Sequence, residues 1–203
     1  MFDGALRPLI DGPLNAIGAR LARAGITADG LTIAGFGFGL LAAASVAGGA
    51  AMWALVPLLA GRLCDGLDGA VARHTAPTDR GGFLDIVLDF VFYGIFPLSF
   101  AVADPAANAL AAAFLLFGFL ANGTSFLAFA IIAQKQGLST AAQGPKSIFY
   151  LAGIAEGAET IGFFVLMCLL PGWFAVLATV FGAMCLASAA ARIIGAYRRL
   201  RPD

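Results

Sequence analysis

Charge is what this chain has least of. Asp, Glu, Lys and Arg together make up 12% of its 203 residues, about half the share in a soluble domain, while 61% are apolar. The formal net charge is zero, so no basic excess points to nucleic acid as a partner. Histidine occurs once, as His74. One imidazole cannot build a histidine metal cluster, and this one reads as a solvated loop residue. The three cysteines, Cys64, Cys168 and Cys185, lie in apolar runs without metal-ligand spacing. That pattern argues against a disulfide framework and leaves them as small buried hydrophobes. The N-terminus has no compact apolar core ending in a small-residue cleavage site, because Asp3, Arg7 and Asp11 interrupt it. It does not read as a signal peptide. There is no convincing internal repeat.

What the chain does have is apolar sequence of membrane-crossing length. Its size suits one domain. A helical span needs about 20 mostly apolar residues. Six stretches qualify, near 31–49, 51–73, 82–103, 107–133, 146–170 and 173–194. Several junctions carry proline or glycine: Gly48-Gly49, Pro77, Asp104-Pro105, Gly144-Pro145 and Pro171-Gly172. Ahead of the spans, Leu6, Leu9, Ile10, Leu14, Ile17 and Leu21 recur at mostly helical spacing, with Arg7, Arg20 and Arg23 as their polar counterpart. This predicts an amphipathic interfacial helix over 1–24, broken near Gly12 and Pro13. The expected fold is therefore all-α and integral to a membrane. Residues 25–203 form a six-helix membrane domain behind the interfacial helix.

Basic residues set the orientation of such a chain. Arg7, Arg20 and Arg23 precede the first span. Arg73 and Arg80 border the second junction, and Lys135 and Lys146 the fourth. Arg192, Arg198, Arg199 and Arg201 lie at or beyond the end of the sixth span. The other three junctions have neither Lys nor Arg. Six spans put all these basic segments and both termini on one side, which should be the cytoplasm.

The chemistry concentrates in two stretches, Asp65-Gly-Leu-Asp-Gly-Ala-Val-Ala-Arg73 and Gly81-Gly-Phe-Leu-Asp85-Ile-Val-Leu-Asp89. An Asp at the centre of a span costs roughly 2.5–3.5 kcal/mol to insert. Four standing alone would cost on the order of 10 kcal/mol, and a bound cation is the natural offset. Asp65 and Asp68 are three apart and share a helix face; Asp85 and Asp89 are four apart and do the same. At 1.5 Å per residue, Asp65 and Asp89 both lie about 12 Å deep, and Asp68 and Asp85 about 6–8 Å. In an antiparallel hairpin the four would face one another as an all-oxygen site for Mg²⁺ or Mn²⁺. Shared carboxylates could bridge two such ions about 4 Å apart.

The neighbours suit a bulky anion. Gly66 and Gly69 leave the helix surface beside Asp68 bare. Gly81 opens the next helix, where free N–H groups can meet phosphate. Arg73 can pair with a phosphate bidentately.

Residues 65–89 resemble the signature of the CDP-alcohol phosphatidyltransferases, D-x-x-D-G-x-x-A-R, a short spacer, then G-x-x-x-D-x-x-x-D. Asp65, Asp68, Gly69, Ala72, Arg73, Gly81, Asp85 and Asp89 match it. The spacer 74–80 is one residue shorter than usual, which reads as a trimmed loop. The overall plan is similar to a proteobacterial inner-membrane branch of that family. The resemblance implies two metal ions, Mg²⁺ or Mn²⁺, on Asp65, Asp68, Asp85 and Asp89. It implies a CDP group lying against Asp68, Gly69, Ala72, Arg73 and Gly81. It implies that Asp89 activates an acceptor hydroxyl, which attacks the lipid-bearing phosphorus of CDP-diacylglycerol and expels CMP. It also implies a homodimer in the bacterial inner membrane. Members often carry a Pro-Asn-x-x-Thr-like run before the first span. Here that run is Ala28-Asp29-Gly30-Leu31-Thr32, in which Thr32 matches, near the nucleotide, and Asp29 replaces Asn. Asp29 also suits a helix N-cap.

The acceptor is less defined. In span five, Lys146, Tyr150, Gly153, Gly157 and Thr160 share one helical face, with Glu156 about 80° from Lys146 and Glu159 further round. The glutamates either serve function or pair with Asn122, Thr124 or Ser125. The acceptor candidates are Lys146, Tyr150, Glu156 and Arg192; Arg192 could equally be an orientation-setting charge. Glycerol 3-phosphate is one possible acceptor, while the glutamates could hold hydroxyls or an amine. Two alternatives compete, an intramembrane prenyl-diphosphate transferase and a divalent-cation transporter. Nothing in a transporter calls for Gly69, Ala72, Arg73 and Gly81 beside the carboxylates.

Overall fold

A computed structural model of the chain describes residues 3–137 and 155–200. Every regular element among them is helical: α1 (Asp3–Arg23), α2 (Ala28–Ala47), α3 (Leu55–His74), α4 (Asp79–Ala103), α5 (Pro105–Lys135), α6 (Gly157–Leu169) and α7 (Phe174–Arg199). Short 3-10 turns at Ala51–Ala54 and Pro171–Trp173 lead into α3 and α7. By length and composition, α2, α4, α5 and the segment Pro171–Arg198 are long and apolar enough to cross a membrane. The 20-residue α3 carries Arg62, Asp65, Asp68 and Arg73, and the 13-residue α6 is short.

Local chemistry fixes where the helices begin. Thr27 and Thr78 cap α2 and α4, accepting from the N–H groups of Gly30 and Gly81 at 3.2 and 3.0 Å. Asp104 caps α5 from Ala107 N–H at 3.1 Å, with Pro105 in the first turn. Asp29 is therefore not the cap of α2; it sits inside the first turn. The chain turns after α1 and α2 at Gly25 and Gly49, both with φ of 81°, a backbone state that only glycine adopts without strain. The expected break in α1 does not occur, and the helix runs through Gly12 and Pro13. Proline's fixed φ is helical, but an interior proline removes one bond from the ladder and crowds the carbonyl four residues back, a cost that α1 carries here.

The expected span over 146–170 also changes. Residues 138–154, including Lys146, Tyr150 and Gly153, lie outside the described residues. Glu156 has extended backbone, φ −120° and ψ −171°, and α6 starts at Gly157. The helical angle assigned to Glu156 therefore does not apply.

The core is aromatic. Phe92, Phe96 and Phe100 form one face of α4, each at most 2% exposed. Phe96 stacks on Phe164 of α6 and Phe100 on Phe174 of α7, each at 4.4 Å between centroids. This stripe sets the rotation of α4. Its continuation toward the N-terminal end of the helix is Asp89 and then Asp85. On α3 the same switch occurs along Leu58, Gly61, Asp65 and Asp68. Each helix thus presents an inward face that is apolar at one end and acidic at the other.

The acidic ends meet through α2. That helix packs against both α3 and α4, whereas α3 and α4 are not closely packed on each other despite the short 75–78 connection. The carboxylates of Asp65 and Asp68 on α3 nevertheless reach that of Asp85 on α4, through their side chains. The α2–α3 crossing is tight at Gly35 and Gly61, where a Cβ on either would lie about 3 Å from the other's carbonyl oxygen (3.1 and 2.9 Å). Only glycine at both positions allows that approach, and it places Thr32 beside Asp68.

Candidate metal centre and adjoining cavity

Asp65, Asp68 and Asp85 each offer a carboxylate oxygen within 4.8 Å of the others. Two unit charges at that distance repel by about 3 kcal/mol at an effective dielectric of 20. Asp68 is 7% exposed and accepts from the Thr32 hydroxyl, Oδ2 to Oγ1, at 2.6 Å. That short charge-assisted bond orients one member of the group. A set of carboxylate oxygens this close suits a hard divalent cation. A cavity of about 10 Å³ beside them, lined by Thr32, Arg62, Asp65, Asp85 and Asp89 among others, holds little more than one water-sized particle. An ion fits there; a nucleotide or lipid headgroup must lie outside.

Asp89 does not belong to the mutually close group. Its Oδ1 accepts from Arg62 Nη1 at 3.0 Å, and the same nitrogen lies 3.6 Å from Asp65 Oδ1. Arg62 Cζ sits 4.9 Å from the centroid of the Phe92 ring. Sequence reasoning missed Arg62. The available signal was an arginine three residues before Asp65, within a predicted span and on the face that carries the carboxylates.

The rim is formed by two polar ties. Arg73 donates from Nε and Nη2 to Asn15 Oδ1 on α1, at 3.1 and 2.9 Å. His74 Nε2 lies 3.2 Å from the Asn15 carbonyl, so the lone histidine contacts α1. Gly18 of α1 comes so close to α3 that a Cβ there would lie 2.6 Å from Ala70 Cβ. The second tie joins Arg80 Nη2 to Asp29 Oδ2 at 2.6 Å. The N–H of Gly81 is taken by Thr78, so it is not free for phosphate, contrary to expectation. Gly81 still contributes space: a Cβ there would lie 3.0 Å from Asp29 Oδ1. A Cβ on Gly69 would meet only the end of Arg73, 3.5 Å away, so this part of α3 is open.

A second cavity, about 170 Å³, lies on the other side of α4. Asp89 and Phe92 line the carboxylate side, while Phe90 and Tyr93 line this one. Asn122, Glu156, Thr160 and Arg192 supply its polar groups. Arg192 is 4% exposed. Its Nη1 donates to Asn122 O, Asn122 Oδ1 and Ser125 Oγ at 3.0, 2.8 and 2.9 Å. Asn122 Nδ2 in turn donates to the Ala155 carbonyl at 3.2 Å. The structure thus brings Glu156 and Arg192 into one cavity. Asn122 and Ser125, named in one of the two readings as partners of the glutamates, bond Arg192; Thr124, the third named there, bonds the Leu120 carbonyl of its own helix. Glu156 and Glu159 form a reciprocal capping box at the start of α6. A larger cavity, about 380 Å³, lies at the opposite end near Trp53 and Asp104 and touches none of these groups.

Comparison with known proteins gives the chain a family. Residues 26–191 match the model of a family described as CDP-alcohol phosphatidyltransferase. The chain is 48% identical over 201 residues, 99% of its own length and 98% of the relative's, to the inner membrane protein YnjF of Escherichia coli K12. It is 32% identical over 160 residues to an archaetidylinositol phosphate synthase of Methanothermobacter thermautotrophicus, covering 76% of this chain and 71% of that protein. An archaetidylinositol phosphate synthase of Pyrococcus horikoshii is 42% identical over 85 residues, 41% of this chain and 45% of that one. Neither a prenyl-diphosphate transferase nor a cation transporter is favoured by these matches.

Proposed function

We propose that this chain, which belongs to the CDP-alcohol phosphatidyltransferase family, moves the phosphatidyl group of CDP-diacylglycerol onto the hydroxyl of a small polar alcohol and releases CMP. The observation that carries this is the convergence of Asp65, Asp68 and Asp85 within 4.8 Å, with Asp89 held just outside the group. Asp65, Asp68 and Asp85, joined by Asp89 at the edge, would hold two Mg²⁺ or Mn²⁺ ions. When bound, such ions supply positive charge to a diphosphate and its leaving group.

The chain's own residues do the rest. Thr32 keeps Asp68 aimed at the site through the 2.6 Å bond. Arg73 exchanges Asn15 for phosphate oxygens of the CDP group, which lies over the open surface at Gly69 and Ala72 with Gly81 at its edge. Asp89 accepts the proton of the acceptor hydroxyl. The alcohol oxygen then bonds to the lipid-bearing phosphorus, and the bond from that phosphorus to CMP breaks. The acceptor occupies the cavity between α4, α5 and α7, where Arg192 and Glu156 face it and Tyr93 and Phe90 form its wall. Lys146 and Tyr150 complete that binding site in this proposal. An acceptor phosphate, as in glycerol 3-phosphate, would be met by Lys146 and Arg192.

The same proposal includes a six-span topology in the bacterial inner membrane, with α3 and the segment that contains α6 as the two further spans. Both termini and the active site face the cytoplasm, α1 lies at the interface, and the chain works as a homodimer. The test is CMP release by purified protein with Mn²⁺, CDP-diacylglycerol and a panel of alcohols. CMP release that depends on one alcohol supports the proposal. No CMP with any alcohol, together with no thermal stabilisation by CDP-diacylglycerol, overturns it.

A further inference from the structure

Asn122 lies outside the 65–89 motif, yet it ties α5 to α7 and to the segment ahead of α6 around the second cavity. Its Oδ1 and its backbone carbonyl both accept from Arg192 Nη1 of α7, at 2.8 and 3.0 Å. Its Nδ2 donates to the Ala155 carbonyl at 3.2 Å. These partners fix the amide one way round. A guanidinium only donates and a carbonyl only accepts, so Oδ1 faces Arg192 and Nδ2 faces Ala155. Gly123, next in sequence, seats α4: a Cβ there would overlap the Phe90 ring. One turn earlier, a Cβ on Gly118 would lie 2.8 Å from the Gly182 carbonyl oxygen, so α5 and α7 cross closely. Helical side chains lean toward their own N-terminus, and Arg192 reaches back along α7 toward that crossing to meet Asn122. Arg192 is 4% exposed, and a buried cation must be held by polar partners. Asn122 supplies two of the three oxygens that Nη1 bonds, and Ser125 supplies the other. An amide orients the guanidinium without adding a negative charge, and its N–H groups still reach Ala155.

We propose that Asn122 is a positioning residue for the acceptor: it aims the Arg192 guanidinium at the cavity and, through Ala155, fixes where Glu156 stands on the cavity wall. That the cavity receives the acceptor rests on the function proposed above; the bonds of Asn122 do not. Loss of Asn122 therefore weakens the acceptor alone. CDP-diacylglycerol and Mn²⁺ are spared, because in that reading they bind on the carboxylate side of α4. A residue that only packed the bundle would move all three together.

The experiment compares wild-type protein with Asn122→Leu and Asn122→Asp. CMP release with Mn²⁺, CDP-diacylglycerol and a panel of alcohols reads the two KM values. The panel includes glycerol 3-phosphate, myo-inositol and serine, which are an anionic, a neutral and a zwitterionic alcohol. Melting temperature is read with each alcohol alone, and Mn²⁺ affinity by electron paramagnetic resonance. Asn122→Leu removes every side-chain bond. Asn122→Asp is isosteric, keeps an oxygen for Arg192 and loses the donor to Ala155, so it reads the site if the Leu variant does not fold. In each folded variant the alcohol KM should rise at least fivefold more than the KM for CDP-diacylglycerol, with Mn²⁺ affinity within twofold of wild type. A smaller split between the two KM values, or a larger change in Mn²⁺ affinity, overturns the proposal. Wild-type protein that gives neither CMP with any alcohol nor stabilisation by CDP-diacylglycerol overturns the proposed function instead. Where no alcohol supports CMP release, the melting temperatures decide for Asn122. Stabilisation by an alcohol that is lost in the variants upholds its role, and stabilisation that the variants keep, or that wild type lacks, overturns it.

Discussion

The hydroxyl of Thr32 donates to Asp68 Oδ2 at 2.6 Å, joining α2 to α3 across 36 residues of sequence. The same hydroxyl lies 3.1 Å from the Ala28 carbonyl of its own helix, which restrains its rotation. Asp68 is therefore aimed by a residue from outside the carboxylate motif.

Thr32→Val keeps the shape of that residue and removes the donor. Leaving a buried carboxylate short of one partner costs about 1–3 kcal/mol. CMP release should fall about tenfold and Mn²⁺ binding should weaken, while Thr32→Ser should retain most of both. Parallel Mn²⁺ titrations and CMP assays check this, and wild-type behaviour of the Val variant would remove Thr32 from the site.

Gly61→Ala tests the crossing that makes this bond possible. Its Cβ would lie 2.9 Å from the Gly35 carbonyl oxygen, so α2 and α3 must separate. Overpacking of this kind costs about 1–3 kcal/mol. The variant should melt at a lower temperature and lose Mn²⁺ affinity as well, because Thr32 moves away from Asp68. Circular dichroism melting and Mn²⁺ titration read the two effects.

Asn15 offers a test of Arg73 without altering Arg73 itself. Asn15→Asp adds a charge to the existing contact and holds Arg73 more firmly on α1. Exposed ion pairs are worth about 0.2–1 kcal/mol, so the KM for CDP-diacylglycerol should rise by up to about fivefold. Asn15→Ala should leave KM unchanged or lower it. The same shift in both variants would mean that the Arg73 tie does not oppose substrate binding.

Asp89→Asn removes the proposed base while leaving an isosteric side chain beside Arg62. Loss of general-base catalysis lowers turnover by about 10²–10⁴-fold. The melting temperature should change by only a few degrees. Full turnover in this variant excludes Asp89 as the base.

Divalent-ion removal gives an independent check on the carboxylates. A chelator should abolish CMP release, and Mg²⁺ or Mn²⁺ should restore it. The geometry at Asp65, Asp68 and Asp85 suits small oxygen-preferring cations. Activity that persists in the chelator would detach catalysis from these residues.

The chain alone was enough to identify the all-helical build and the acidic faces. Asp65 with Asp68, and Asp85 with Asp89, are local relationships, and a helix of 3.6 residues per turn fixes which neighbours share a face. Helix starts were also partly legible, although the cap of α2 proved to be Thr27 rather than Asp29, two residues away.

Contacts between elements could not be read in this way. Thr32 meets Asp68, Arg62 meets Asp89 and Asn15 meets Arg73 because of helix rotation and closeness of approach. Those are set by the Gly35–Gly61 crossing, the seat of Gly18 on α3 and the Phe92–Phe96–Phe100 stripe packed on α6 and α7. Glu156 shows the same limit from another direction, since its helical angle lost meaning once α6 began at Gly157, just after it. The carboxylates were determined by sequence because their spacing is a property of one helix. The convergence of Asp65, Asp68 and Asp85, and the tie of Asp89 to Arg62, were decided by the tertiary structure, because they depend on how α2, α3 and α4 pack and on the reach of one arginine.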